Sequence, residues 1–236
     1  MPLNSTMLNI DFNSNTTLPA IETQSLSNIK AFQEYALNKH LNYLNQHSKF
    51  YQRLFKKHNI IVEQIKSLED LQHIPPSTKE DLQLYNKDFI CVDAQKIVDY
   101  TTTSGTLGNP VTFVLTENDL QRLAYNECIS LACAGGNENE IYQLMTTIDR
   151  RFMAGLAYFL GARKMGAGIV RVGSGIPELQ WDTIQRISPT TTIVVPSFIL
   201  KLIDYAEANS IDFKNSSIKK AICIGEPIRS SDFELN

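Results

Sequence analysis

A turn rich in hydroxyl groups and glycine occupies the middle of the sequence. The stretch TSGTLGNP runs from Thr103 to Pro110, between two β-branched segments. Glycine lets backbone amides approach an anion closely, and threonine and serine hydroxyls add further donors, so the turn is a candidate phosphate-binding loop. It is not a Walker A loop, because Gly105 and Gly108 are only three positions apart, Asn109 stands where a lysine is expected and a strand follows. The alternative is a hydroxyl-rich hairpin turn without a ligand.

The segments around this turn predict which elements position it. Residues 1–27 are rich in Asn, Ser and Thr and are expected to form a loose N-terminal arm. Residues 28–96 show helical periodicity, and capping-box spacings in SLEDL and STKEDL, which begin at Ser67 and Ser77, mark two helix starts.

From residue 97 onward, short β-branched strands alternate with helices of ten or more residues, a pattern typical of an α/β fold with a largely parallel sheet and flanking helices. The predicted strands are residues 97–101, 111–115, 141–146, 169–172, 191–195 and 220–224. The predicted helices are one that follows the cap at Thr116, then residues 150–165, 177–187 and 197–208.

Composition excludes several classes of function. The 236 residues carry a net charge of −3 with scattered lysines and arginines, so no nucleic-acid partner is expected. The four cysteines form no C-x-x-C pair, and the four histidines lack acidic or cysteine partners at ligand spacing, so no metal ligands are expected in this chain. No apolar run approaches the roughly 20 residues of a membrane helix and no signal peptide is evident, which favours a cytoplasmic protein without a membrane partner.

The last residues carry a helix-start signal. Ser231 and Glu234 have capping-box spacing, yet the chain ends at Asn236, within about one helical turn. We therefore expect this chain to be the N-terminal part of a longer protein.

Five motifs, in order, resemble those of one enzyme family. TSGTLGNP resembles the SGTTGKP signature of the adenylate-forming enzymes, which include acyl-CoA synthetases. FYQRLFKKHNI, followed by IKSLEDLQHIPPSTKEDLQ, is similar to the N-terminal region of the phenylacetate–CoA ligase branch. GLAYFLGARKMGAGIVRVGSG, VVPSFILKL and ICIGEPIRSSDFE look like later segments of the same branch. The resemblance covers about residues 28–236 and implies the N-terminal portion of such an enzyme.

The resemblance implies a reaction, its cofactors and an incomplete domain. In this family a carboxylate attacks the α-phosphate of ATP to give an acyl-adenylate and pyrophosphate, and a thiol, usually that of CoA, then displaces AMP; ATP, Mg²⁺ and CoA are implied. Residues 28–236 would form an incomplete N-terminal domain, helical over 28–96 and α/β over 97–236, and the C-terminal domain would be absent. Because the family often forms dimers, a homodimer is one expectation.

Two groups of nucleotide-binding residues follow from the resemblance. The β- and γ-phosphates would be wrapped by Thr103, Ser104, Gly105, Thr106 and Gly108. The adenine would be bordered by Gly225, Glu226 and Pro227, at the end of a parallel strand, where α/β folds tend to bind ligands. The alternative for the second group is an ordinary strand-to-helix turn.

Two departures from the family pattern bear on affinity and substrate. Leu107 and Asn109 replace the usual Thr and Lys of the signature, and the missing lysine removes positive charge near the phosphates. TTIDRRF, residues 146–152, stands where phenylacetate ligases have an aromatic and glycine-rich stretch lining the acyl pocket. Asp149, Arg150 and Phe152 are therefore candidate substrate-binding residues for an aryl or polar carboxylic acid. Alternatively, the arginines face solvent or the phosphates of CoA.

The family's remaining catalytic machinery is expected downstream of Asn236. The acidic residue that holds magnesium, the aspartate that binds ribose and the adenylation lysine would all lie there, so this chain alone should be weakly active or inactive. The chain is either a fragment of a longer protein, a natural split or degenerate gene product that only binds nucleotide, or one half of a two-chain enzyme. Two other functions stay open: a non-catalytic nucleotide-binding module, and an adenylating acyltransferase that acts on a protein acceptor.

Overall fold

The computed structural model describes residues 20–103 and 110–227. Its contacts divide the chain into two compact units, Met1–Asn118 and Asp119–Asn236. The predicted boundaries at residues 27 and 96 are not tested by this division and stay predictions.

The first unit begins with two helices separated by a buried serine. Helix α1 spans Leu26–His47 and helix α2 spans Lys49–Lys57. Ser48 between them is fully buried; its hydroxyl accepts from the Tyr51 amide at 3.3 Å and donates to the Asp88 carbonyl at 3.0 Å. Because the hydroxyl caps α2, the predicted helical pattern breaks here, at a position that the sequence did not mark.

Short elements follow and cover an apolar cluster. Helix α3 spans Lys79–Leu84, and the predicted capping box is confirmed there by reciprocal bonds between Thr78 and Asp81. A helix also begins at SLEDL, but it is the 3₁₀ helix Glu69–His73, and only half of the capping box forms: Asp70 accepts from the amides of Lys66 and Ser67, and no side chain caps the start. The remaining 3₁₀ helices are Ala20–Thr23, Val62–Gln64, Asn86–Phe89 and Ala94–Lys96. The buried cluster consists of Leu41, Phe55, Val62 and Ile65.

An antiparallel hairpin completes this unit. Strand β1 spans Ile97–Thr102 and strand β2 spans Thr112–Thr116, with Thr102 opposite Thr112. The predicted strands agree with it within one residue at each end. The hydroxyl- and glycine-rich turn is therefore the connection of a β-hairpin.

The second unit is a parallel sheet with helices on both faces, which confirms the predicted fold class. Four parallel strands lie in the order β4-β3-β5-β6. The strands are β3 (Ile141–Leu144), β4 (Gly168–Arg171), β5 (Thr191–Val194) and β6 (Lys220–Cys223). The helices are α4 (Glu117–Cys133, which begins in the first unit), α5 (Met153–Met165), α6 (Pro177–Ile187) and α7 (Pro196–Ala208).

Alternation along the strands sends side chains into two cores. On β5, Ile193 packs with residues of α4 and α5, whereas its neighbour Val194 packs with residues of α6 and α7. Both side chains are fully buried. Each face of the sheet is thus covered by a helix pair, as is usual for a parallel sheet.

The strand order creates a topological switch point. From β3 the chain moves to β4 on one side, then crosses to β5 on the other side and continues outward to β6. In open α/β sheets the crevice at the carboxyl ends of the strands that flank such a reversal is the usual ligand position. Here those strands are β3 and β5.

One predicted helix start is wrong. Helix α5 begins at Met153 instead of residue 150. Arg150 and Arg151 have φ values of 58° and 61°, which belong to the left-handed region, and Phe152 is extended. Two successive left-handed residues cannot continue a right-handed helix, so TTIDRRF is a loop after β3.

Candidate active site

Four loops follow the four parallel strands and gather at the carboxyl edge of the sheet. We call residues 145–152 the β3 loop, 172–176 the β4 loop, 195–197 the β5 loop and 224–227 the β6 loop. Several sequence candidates lie in these loops, at the edge of the sheet where open α/β folds usually bind ligands.

The hydroxyl–glycine turn is closed at its base by Thr103. The Thr103 amide donates to the Val111 carbonyl at 3.0 Å, and the Val111 amide donates to the Thr103 hydroxyl, also at 3.0 Å. This hydroxyl accepts a structural bond here, and a hydroxyl can also donate its own proton. The other turn candidates, Ser104, Gly105, Thr106 and Gly108, lie outside the described residues.

Asn86 fixes the strand that leaves this turn. Its carboxamide donates to the Thr112 carbonyl at 2.9 Å and accepts from the Thr112 amide at 3.3 Å. Such a paired contact imitates a neighbouring strand and satisfies both backbone groups of an edge residue.

The β6 loop is held to the start of helix α7 by Glu226. Its carboxylate accepts from the Ser197 amide at 3.0 Å and from the Ser197 hydroxyl at 2.9 Å. Helix α7 starts with Pro196 and has no cap from its own N-cap residue, so a carboxylate from β6 satisfies an unpaired amide and complements the positive end of the helix dipole.

Gly225 supplies the turn that makes this cap possible. Its φ of +75° lies in the left-handed region, and a β-carbon there would lie 3.4 Å from Val195 Cγ1. Residues 225–227 are all exposed, but the Glu226 carboxylate is engaged by Ser197, which leaves the backbone and Pro227 as the groups a ligand would meet. A role for Gly225, Glu226 and Pro227 in bordering adenine stays a prediction, and it would rest on the backbone.

The β3 loop presents charge to solvent. The Thr147 hydroxyl donates to the Asp149 carboxylate, and Arg150 Nε lies 3.8 Å from Asp149 Oδ2. The hydroxyl bond first and the guanidinium second hold the pKa of Asp149 below its ordinary value. The side chains of Asp149 and Arg150 are 71% and 86% exposed, and Phe152 is 43% exposed. A charged, accessible loop thus stands at the switch point.

Gly155 lets the β3 loop close onto helix α5. A β-carbon at Gly155 would overlap the carbonyl oxygen of Thr147. The loop backbone therefore lies directly on the first turn of the helix, which explains why a buried glycine occurs there.

The β4 loop is fastened by a buried glutamine. Gln180 Nε2 donates to the carbonyls of Gly173 and Gly175 at 2.9 and 3.0 Å. Gln143 Nε2, on β3, donates to Gln180 Oε1 at 2.8 Å and to the Gln180 carbonyl at 3.1 Å. Both glutamines are completely buried.

The opposite edge of the sheet holds a second polar cluster. Glu140 accepts from Lys220 and from the hydroxyls of Thr190 and Thr191, and Lys220 also donates to the Gly135 carbonyl at 2.8 Å. These bonds, led by that from Lys220, hold the pKa of Glu140 below its ordinary value. The Glu140 side chain is only 10% exposed, so this cluster has a structural role at the amino ends of the strands.

The described residues supply neither a metal cluster nor a membrane span. Within residues 20–103 and 110–227, no three His, Cys, Asp or Glu side chains come together as metal ligands. In the same ranges no helix is long and apolar enough to cross a bilayer.

Sequence analysis missed Ser197, Gln143 and Gln180. The proline before Ser197 does mark the start of a helix, but a partner 29 positions away leaves no trace in a local pattern. Gln143 sits in an otherwise apolar strand, where a glutamine normally indicates an exposed position. The pair is recognisable only because both carboxamides are buried, and the burial of a side chain is known only from the three-dimensional structure.

Comparison with known protein families identifies the family of this chain. Residues 35–234 match the family described as AMP-binding enzyme. The chain belongs to this family. The match includes the hydroxyl–glycine turn and the whole of the described sheet.

Individual relatives within this family confirm the predicted resemblance to the phenylacetate–CoA ligase branch. The chain is 29% identical over 216 residues to phenylacetate-coenzyme A ligase of Escherichia coli, covering 91% of this chain and 49% of that protein. It is 28% identical over 210 residues to the enzyme of the same name from Thermus thermophilus, covering 89% of this chain and 47% of that protein. The chain thus spans about half the length of the curated relatives it matches.

A solved structure supports the fold. A 2-hydroxyisobutyryl-CoA ligase, solved in complex with 2-HIB-AMP and CoA, superposes with a TM-score of 0.83 at 23% identity, covering 93% of this chain and 49% of that one. The fold is therefore that of the N-terminal part of such a ligase. The comparisons give no support to the non-catalytic module or to the acyltransferase with a protein acceptor.

Proposed function

We propose that this chain is the nucleotide- and acid-binding part of an AMP-forming carboxylic acid–CoA ligase. The reaction joins a carboxylate to the α-phosphate of ATP with release of pyrophosphate, and then transfers the acyl group from AMP to the thiol of CoA. The observation that carries the proposal is the family match over residues 35–234, which includes the hydroxyl–glycine turn and the loops at the carboxyl edge of the sheet. The phenylacetate and 2-hydroxyisobutyryl ligases support the same reaction class.

In this proposal the turn after β1 binds the phosphates of ATP. Thr103 closes the turn through Val111, and its hydroxyl can also donate a proton. Ser104, Gly105, Thr106 and Gly108 would supply the remaining hydroxyls and amides. Preorganised donors of this kind stabilise charge that develops on phosphoryl oxygens.

The β6 loop would border the adenine through its backbone. Glu226 is engaged by Ser197, which keeps its carboxylate at the start of α7. Bound Mg²⁺ would neutralise the phosphates during the reaction. We assign no magnesium ligand to the described residues.

The acid would lie against the β3 loop. Phe152 offers a partly exposed aromatic surface, and Arg150 offers a guanidinium held only loosely by Asp149. This combination suits an aryl acid or an acid with a polar or anionic substituent better than a purely aliphatic chain. Arginine at this loop could also meet a phosphate of CoA.

The test is ATP–pyrophosphate exchange by the complete natural gene product that contains this chain. Phenylacetate, 2-hydroxyisobutyrate and a series of dicarboxylic acids are compared, and acyl-CoA is detected by mass spectrometry after CoA is added. We expect acid-dependent exchange and thioester formation. Nucleotide binding without exchange for any acid would overturn the proposal, and strict preference for phenylacetate would overturn the polar-substituent part alone.

The nucleotide part is tested by a separate variant. Substituting Thr106→Ala removes one candidate donor from the turn, and Thr112→Ala, in the adjacent strand, serves as the control. We expect a KM for ATP about tenfold higher in the first variant, the loss of one charge-assisted hydrogen bond. The KM for the acid should change much less. Equal effects of the two variants would contradict the assignment of the turn.

A further inference from the structure

A buried chain of two carboxamides joins strand β3 and helix α6 to the β4 loop. It runs from Gln143 on β3 to Gln180 on α6 and ends on the carbonyls of Gly173 and Gly175. The Gln143 carbonyl also accepts from the Thr192 hydroxyl of β5 at 3.3 Å.

The orientation of both side-chain amides is fixed by their surroundings. If Gln180 were flipped, its oxygen would face two carbonyl oxygens, those of Gly173 and Gly175. If Gln143 were flipped, its oxygen would face both oxygens of Gln180. Each alternative places acceptor against acceptor, so the described orientation is the one that the hydrogen bonds permit.

The network also has a cost. The side-chain oxygen of Gln143 is buried and has no hydrogen-bond partner among the described residues. An unpaired buried acceptor is unfavourable, and an apolar residue at this position would avoid it. Retaining the glutamine makes sense if its donors, which hold Gln180 in place, serve a purpose beyond filling the core.

The β4 loop, which Gln180 holds, has an unusual backbone conformation. Gly173, Gly175 and Ile176 have φ values of 84°, 77° and 51°, all in the left-handed region. For isoleucine this conformation is strained, and it persists only where the surroundings impose it. The two bonds from Gln180 end on carbonyls within this segment and are suited to impose its conformation.

The β4 loop adjoins the β3 loop, where the acid is proposed to bind. The amides of Val172 and Gly173 both donate to the carbonyl of Leu144, at 3.2 and 3.1 Å. Leu144 is the last residue of β3, and the β3 loop begins at the next position. The position of the β4 loop is thus tied to the segment that carries Arg150 and Phe152.

We propose that Gln180 is a positioning residue that holds the β4 loop as one wall of the carboxylic-acid pocket, so that its carboxamide affects the affinity for the acid and leaves the affinity for ATP unchanged. This inference rests on the proposed function. It assigns a role in substrate specificity to a buried helix residue that does not touch the reacting atoms.

The experiment compares Gln180→Met with Gln185→Met in the complete gene product. Both residues are glutamines of α6, but Gln185 is exposed and serves as the matched control. ATP–pyrophosphate exchange is measured with phenylacetate and with the preferred acid of the screen. We expect the KM for the acid to rise on the order of tenfold in Gln180→Met, with the KM for ATP within about twofold of the unmodified protein. Gln185→Met should behave like the unmodified protein.

An isosteric variant keeps the inference testable if Gln180→Met folds poorly. In Gln180→Glu a carboxylate would face the two glycine carbonyls, whereas the protonated acid could donate to one of them. The KM for the acid should therefore fall towards the unmodified value as the pH is lowered, and Gln185→Glu should show no such trend. Amide hydrogen exchange of residues 172–176 should accelerate at neutral pH in Gln180→Glu only.

The possible failures are distinct. If the unmodified protein exchanges pyrophosphate with an acid and both Gln180 variants keep its KM, the inference is overturned and the proposed function stands. If KM for ATP and KM for the acid rise together, Gln180 has a general structural role and the inference is also overturned. If the unmodified protein activates no acid, the proposed function itself fails.

Discussion

The two edges of the parallel sheet use polar residues in opposite ways. At the amino edge, Glu140, Lys220 and their threonine partners bond to one another, and the carboxylate is almost fully buried. At the carboxyl edge, Asp149 and Arg150 are largely exposed and lie in a loop with left-handed backbone. At the amino edge the polar groups stabilise the fold, whereas at the carboxyl edge they remain accessible to solvent.

This difference shows how the same residue types acquire different roles. A carboxylate that is saturated by donors, as Glu140 is, has little capacity left for a ligand. Glu226 is an intermediate case, since it lies at the carboxyl edge but is engaged by the start of α7. Charge alone therefore does not identify a site; what matters is whether the group is already satisfied.

The largest effect is expected where the carboxyl edge is most tightly packed. Gly155→Ala should destabilise the protein by about 3 kcal/mol, since the added methyl group overlaps the Thr147 carbonyl oxygen. Intrinsic helix propensity alone would predict a gain of about 1 kcal/mol, so the sign of the change is decisive. Urea unfolding followed by circular dichroism measures it.

The matched control for this variant is Gly168→Ala, at the start of β4. A β-carbon there would meet its nearest neighbour, Ile141 Cγ1, at 3.4 Å, an ordinary contact. We expect a change below about 1 kcal/mol. A Gly155→Ala protein as stable as this control would show that the β3 loop does not rest on α5.

The amino edge should respond strongly to loss of its carboxylate. Glu140→Ala should cost about 2 kcal/mol, because it leaves two threonine hydroxyls and Lys220 without their shared acceptor; partial exposure of the lysine limits the loss. Glu138→Ala, at an exposed position two residues earlier, is the control and should be nearly neutral. Denaturant midpoints of the two variants give the comparison.

The same cluster predicts a pH dependence. Because its donors hold the folded-state pKa of Glu140 below the ordinary value of 4.5, its contribution is present above that value and is lost as the pH falls through the folded-state pKa. The stability gap between the unmodified protein and Glu140→Gln should thus be constant from about pH 7 to pH 5 and shrink towards pH 3. A gap that widens on acidification would refute the assigned bonds.

The cap on α7 should have a smaller effect. Glu226→Ala should cost about 1 kcal/mol, the usual value of a helix N-terminal cap. Ser197→Ala removes the hydroxyl partner, and the double variant should lose less than the sum of the two single losses. Additive losses in this double-mutant cycle would mean that the two side chains do not interact.

The exposed charges of the carboxyl edge should matter least for folding. Arg150→Gln should leave the unfolding midpoint unchanged, since its side chain is 86% exposed and lies 3.8 Å from its partner. In the exchange assay, however, the KM for acids with an anionic substituent should rise several-fold, and that for phenylacetate should not. If Arg150→Gln lowered the stability and left the acid preference unchanged, the proposed difference between the two edges would be wrong.

Local signals predicted most of the elements. The helix predicted from Pro177 to Ile187 matches α6 to the residue, and the capping-box spacing in STKEDL predicted the start of α3. Both features act within one or two turns of chain, which is the range that a sequence pattern records. The start of α5 was predicted wrongly because two arginines adopt a left-handed backbone that no local preference indicates.

The site was predictable only in part, for the same reason. Motif order pointed to the turn after Thr103 and to the loop at Gly225, but no pattern indicated that Glu226 would be engaged by Ser197. Nor did it indicate that Gln143 and Gln180 would meet in the core. These pairs are 29 and 37 positions apart, so their chemistry depends on how the strands are ordered.

By itself, then, the sequence determined the family, the alternation of strands and helices and the chemical character of the turn at Thr103. Each of these features depends on the types of residues that lie close together in the sequence. Only the tertiary structure decided the order β4-β3-β5-β6, and with it which polar groups are satisfied at one edge of the sheet and accessible at the other. The physical reason is that hydrogen bonds and burial are properties of neighbours in space, and for a parallel sheet those neighbours come from distant parts of the chain.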